Sequence, residues 1–103
     1  MRFIVRATIP IDTGNDMIRS GPGMQELLDK LMGDIRPEAV YFCAEAGQRT
    51  VYMVVSITDT SELPRIAEPL WLALSCDVEF IPAMSQEDFG AAMAHVGAAG
   101  AKY

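Results

Sequence analysis

Four short stretches of this chain repeat residue character with a period of two: residues 3–9 (FIVRATI), 39–45 (AVYFCAE), 50–57 (TVYMVVSI) and 77–83 (DVEFIPA). That period places successive side chains on opposite faces of a strand, and the β-branched and aromatic content suits a pleated sheet. Between the first two stretches, Met24, Leu27, Leu28, Leu31, Met32 and Ile35 recur at helical spacing, with Gln25, Glu26, Asp29 and Lys30 on the opposite side. The predicted helical region runs from Asp12 to Ile35. Gly21-Pro22-Gly23 separates a short first turn at 13–19 from the main helix, and Arg36-Pro37 closes it. Ala46-Gly47-Gln48-Arg49 is of hairpin length. Ser61-Glu62-Leu63-Pro64 opens a second helix to about Leu74, which Pro69 is expected to bend or divide.

The predicted order is therefore β-α-β-β-α-β, a split βαβ arrangement of the ferredoxin-like kind, with an antiparallel sheet in the order 4-1-3-2. Ser85 caps a further C-terminal helix over about 85–97. Gly97 and Gly100 are read as its end, with a loose tail at 98–103. At 103 residues, without linker composition or low-complexity sequence, the chain reads as a single α+β domain, 1–103.

Lys and Arg number 8 against 14 Asp and Glu, a net charge of −6. That balance gives no global attraction to phosphate backbones or anionic lipid, so neither a nucleic-acid nor a membrane partner is expected. Arg6 interrupts the apolar N-terminal stretch, no signal peptide is read, and a cytoplasmic protein is expected. Cys43 and Cys76 lack CxxC spacing and read as two free thiols, Cys43 as a small buried hydrophobe.

Sorting the strands by face yields one wholly apolar set, from Phe3, Val5 and Ala7 to Val40, Phe42, Ala44, Val78 and Phe80, which must lie beneath the helices. The other face mixes Arg6 and Glu79 with Ile4, Tyr41, Cys43, Tyr52, Val54 and Ile81. A patch of that kind marks an interface or a ligand groove. Ile4, Val54 and Ile81 are read as dimer contacts.

The run Arg2–Ile9, Pro37-Glu38-Ala39-Val40-Tyr41-Phe42, Ile66-Ala67-Glu68-Pro69 and Val78-Glu79-Phe80 resemble segments of small uncharacterised bacterial proteins of the dimeric α+β barrel superfamily. The resemblance covers residues 1–83. It implies the ferredoxin-like fold and a homodimer whose sheets pack face to face. Some dimeric α+β barrels are cofactor-independent monooxygenases or haem-degrading enzymes that rely on Asn, Trp and His. Asn15, the only asparagine, and His95, the only histidine, both lie off the strands, so those roles do not carry over.

Arg6, Tyr52 and Glu79 converge on the mixed face if the predicted strand order holds, because the first strand then lies between the third and fourth. Their functional reading is the polar end of a small-molecule pocket, with Arg6 holding a carboxylate or enolate. The competing reading is a cross-strand ion pair. Tyr41 and Cys43 share that face and complete the candidate ligand-binding set. His95 is read as a surface residue without metal-ligand partners. Trp71 is read as core or helix-edge packing, and the methionines as core fillers. Gly14, Gly21 and Gly23 lack the Lys-Ser/Thr pair of a phosphate loop.

Three functions fit these features: a homodimer binding a small organic molecule, anionic or aromatic, on the open sheet face; a small cofactor-independent enzyme of monooxygenase or isomerase type; or a purely structural dimerisation module. No cofactor or metal is expected.

Overall fold

The computed structural model describes residues 1–103. Its elements are β1 (Arg2–Thr8), α1 (Ile11–Arg19), α2 (Pro22–Ile35), β2 (Ala39–Glu45), β3 (Gln48–Ser56), a 3₁₀ turn (Thr60–Glu62), α3 (Leu63–Leu74), β4 (Asp77–Ala83) and α4 (Gln86–Lys102). The four strands form one antiparallel sheet in the order β2-β3-β1-β4. Read from the other edge this is the predicted 4-1-3-2 order, the ferredoxin-like arrangement.

The central pair β1 and β3 carries the core. Val5, Ala7, Met53 and Val55 are almost fully buried against Leu31 and Ile35 of α2 and Ile66, Leu70 and Leu74 of α3. Burying side chains of this size contributes about 1.5–3 kcal/mol for each large aliphatic group. Phe3 and Phe80 close the β4 side edge to face, with ring centroids 6.0 Å apart.

The helix ends are tied by side chains. Arg65 on α3 donates to the carbonyls of Asp34 and Ile35 at 3.0 and 2.8 Å, satisfying acceptors left open at the end of α2. Ahead of α3, the Asp59 carboxylate accepts from the Ser61 amide. Glu62 accepts from the Thr58 amide and hydroxyl and from the Asp59 amide, a capping box.

Several expectations are corrected. Pro69 does not divide α3, which runs unbroken from Leu63 to Leu74; a missing N–H removes one donor to the carbonyl four residues earlier, and packing of the helix on the sheet outweighs that loss. The hairpin turn is two residues, Ala46-Gly47, both at positive φ (52° and 76°), so β3 begins at Gln48 and not at Thr50. The helices leave the β2 edge uncovered: Phe42 is 64% exposed, and Ala44 is exposed too. Cys43, on the opposite face of the same edge strand, is exposed and not buried, whereas Cys76 is buried, and both are free thiols. Trp71, half exposed on α3, packs at the helix edge, and four of the seven methionines (Met17, Met24, Met32 and Met53) are at least partly buried, while Met1, Met84 and Met93 face outward.

The largest correction concerns the C-terminus. The last helix continues through Gly97 and Gly100 to Lys102, with no tail at 98–103, and none of its residues is buried. Ser85 caps it as expected, with Asp88 closing a capping box. The molecule is correspondingly long, 58 × 28 × 19 Å, with a radius of gyration of 16.9 Å; a compact chain of this length has about 13 Å. Each interior glycine costs a helix about 1 kcal/mol relative to alanine, so α4 is expensive to maintain on its own.

Candidate functional site

The strand register builds the outer face in rows. Ile4 of β1 pairs with Val54 of β3 and Ile81 of β4, and Val54 also pairs with Ala39 of β2. Ile4 and Val54 are half-buried, and Ile81 is 37% exposed. Two residues along, Arg6 pairs with Tyr52 and Glu79, and Tyr52 with Tyr41. An apolar row thus adjoins a polar one.

In the polar row the Arg6 guanidinium hydrogen-bonds to the Glu79 carboxylate. It also lies 3.7 Å from an oxygen of Glu45, which in turn accepts from the Tyr52 phenol at 2.6 Å. Contact with the Tyr52 oxygen and then the charge of Glu79 raise the Arg6 pKa above its ordinary value. Donation to Glu45 and partial desolvation hold the Tyr52 proton above the usual phenol range, with Arg6 opposing. Arg6, Tyr52 and Glu79 therefore do come together. Tyr41 and Cys43 share their face but stay outside the hydrogen-bonded group and are exposed. Glu45 was not among the candidates, although positions 41, 43 and 45 alternate onto this face. With two carboxylates on one guanidinium, the group carries one net negative charge, which opposes a further anion.

A second concavity lies on the helix side of the sheet, where no site was expected. It is a cavity of about 340 Å³, within the range of small-ligand sites. Thirteen of its sixteen lining residues are hydrophobic, among them Met17, Met24, Leu28, Met32, Phe42 and Met53. Arg49 is the one charged residue lining it. Its backbone carbonyl accepts from the Ile9 amide at 2.9 Å, which fixes the start of β3 beside the exit of β1.

The Arg49 side chain then crosses α1 at Gly14, donating to Asn15 Oδ1 at 3.1 Å and reaching the Ile11 carbonyl at 3.5 Å. A Cβ on Gly14 would stand 2.5 Å from its Nη1, so the absence of a side chain there creates the guanidinium's path. No carboxylate lies within ion-pair distance of Arg49. A guanidinium has five N–H donors and keeps its charge at every physiological pH. The apolar cavity therefore has an unneutralised, pre-positioned cation at its rim.

A family model described as a domain of unknown function (DUF3303) matches residues 1–97. The chain belongs to that family. The DUF3303 match covers the whole sheet, α1 to α3 and α4 as far as Gly97. No curated protein matches the chain. No group of three or more His, Cys, Asp or Glu residues is arranged to hold a metal ion, and no helix is long and apolar enough to cross a membrane.

Proposed function

We propose that this DUF3303 chain is a small-molecule-binding homodimer whose ligand is an apolar organic acid held in the helix-side cavity. The carrying observation is Arg49, laid across Gly14 at the rim of the 340 Å³ apolar cavity and unpaired with any carboxylate. An aliphatic or aromatic body fills the cavity between the methionine-rich helices and the sheet. The ligand's carboxylate takes the remaining guanidinium donors, a charge-assisted contact of bidentate geometry. The net negative row of Arg6, Glu45 and Glu79 is a poorer place for such a ligand, so the sheet's outer face is read as the dimer surface. There Ile4, Val54 and Ile81 of two copies meet, and the Arg6 group supplies polar contacts already satisfied within each chain.

Isothermal titration with decanoate, 1-decanol and decylamine tests the ligand reading. Decanoate is expected to bind, decanol to bind at least tenfold more weakly, and decylamine not to bind. Arg49→Gln removes the advantage of decanoate over decanol. Equal binding of all three, or an undiminished preference for decanoate in Arg49→Gln, refutes it.

A further inference from the structure

Phe89, Met93 and Val96 of α4 are each about half exposed, and no residue of the helix is buried. Their spacing of four and three residues, continued to Gly100, draws a single line along the helix, the seam of a heptad pattern. The positions flanking the seam are Gly90 and Gly97 on one side and Ala92 and Ala99 on the other. A Cβ on Gly90, Gly97 or Gly100 would meet nothing within 4 Å, so nothing in this chain's own packing calls for glycine there. All the charged side chains and the histidine, namely Glu87, Asp88, His95 and Lys102, lie away from the seam. A lone helix with three interior glycines does not sustain itself in water. The stabilising surface must come from outside the chain.

We infer that α4 is an assembly arm that packs antiparallel against α4 of a second copy of this chain, centred between Ala94 and His95. In this register Met93 faces the partner's Val96, and Phe89 faces the partner's Gly100, a large side chain set over a position with none. The small flanking residues let the two backbones approach closely. The acidic first turn, Glu87 and Asp88, comes to the axial level of the partner's Lys102, so helix ends of opposite polarity adjoin. A parallel pair would instead stack Phe89 on Phe89 and bring the two acidic turns together.

A contact between two helices of about 26 Å is short beside interfaces that bury about 1,200 Å² or more, so association is expected to be weak, at micromolar concentration. This contact goes beyond the proposed sheet-face dimer and does not use it. With both in place, each chain touches two neighbours.

Sedimentation equilibrium at micromolar concentration separates the two contacts. In a Val54→Asp background, which removes the sheet-face contact, the chain is expected to remain at twice its 11.2 kDa mass. Adding Met93→Glu on the seam reduces it to monomer, and adding Ala98→Glu on the opposite side leaves it dimeric. A monomer in Val54→Asp alone, an unchanged mass with Met93→Glu, or equal effects of Met93→Glu and Ala98→Glu overturns the arm and leaves the sheet-face reading standing.

Disulfide trapping reads the register without a destabilising charge. In a Cys43→Ser background, a Met93→Cys chain mixed with a Val96→Cys chain is expected to give a mixed disulfide in high yield. Met93→Cys alone gives little. Equal yields from the two samples overturn the antiparallel register.

Discussion

Gly14→Ala sets two effects of comparable size against each other. Gly14 is buried in α1 and its φ is not positive, so the backbone accepts alanine, and removing a helix-interior glycine contributes about 1 kcal/mol of stability. The new methyl stands 2.5 Å from Arg49 Nη1 and 3.2 and 3.3 Å from Cδ and Cζ, so the guanidinium has to swing away. That movement breaks the 3.1 Å bond to Asn15 and the long 3.5 Å contact to the Ile11 carbonyl. Hydrogen bonds contribute about 0.5–1.5 kcal/mol each, and these belong at the low end because Arg49 is exposed. The two terms nearly cancel, and urea unfolding followed by circular dichroism is expected to show a change within about 1 kcal/mol. Decanoate binding behaves differently, because the displaced charge no longer faces the cavity. Loss of a charged hydrogen bond of about 1.5–3 kcal/mol lowers affinity roughly tenfold to a hundredfold. Calorimetric titration with decanoate and decanol is the assay, decanol being little affected. Undiminished decanoate affinity in a stably folded Gly14→Ala chain would refute the role given to Arg49.

Three further outcomes follow from other parts of the molecule. Val54→Asp leaves the single chain folded, because Val54 is only half-buried; placing the charge against the apolar row of a second copy costs a few kcal/mol, about a hundredfold in sheet-face association, read by size-exclusion chromatography over a dilution series. Burial raises the Cys76 thiol to about 11 from 9.0. Iodoacetamide at pH 8 is therefore expected to label Cys43 alone until the chain unfolds. Because the unfolded thiol releases its proton first, stability declines as pH rises from about 9 to 11, and a Cys76→Ala chain whose Tm falls just as much over that window would contradict this. Hydrogen bonds from Thr58, and then from Asp59 and Arg65, hold the Glu62 carboxyl below its ordinary value. Its contribution is present above the unfolded pKa near 4.5 and is lost as pH falls through the lower folded value, so Glu62→Gln is expected to reduce the Tm difference between pH 7 and pH 3.

The sequence pattern located β2 at 39–45 and β4 at 77–83 to the residue, and the strand order with them, because period-two alternation reports faces directly. Alternation does not report whether a face is covered, and for that reason Phe42 and Ala44 were assigned to burial that the helices never provide, while Cys43 on the opposite face is exposed as well. The hairpin turn was overestimated because alanine at φ 52° leaves no compositional mark. Glycine in α4 was read as a stop signal, yet Ala98, Ala99 and Ala101 around it continue the helix. The Arg6–Tyr52–Glu79 row followed from register alone. The Arg49 cavity was not legible: it depends on how far α1 and α2 stand from the sheet, and nothing in local spacing encodes that gap.

The two borders of the sheet are built to different standards. Along β4, Asp77, Glu79 and Pro82 place charge and a missing N–H where another strand would dock, the usual protection of an open border. Along β2, the stretch from Ala39 to Ala44 has neither charge nor proline, and Tyr41 and Phe42 are 68% and 64% exposed. A border of that composition is a template for an incoming extended chain. What opposes such docking is the net charge of −6, with Glu45 and Glu38 at the two ends of that border.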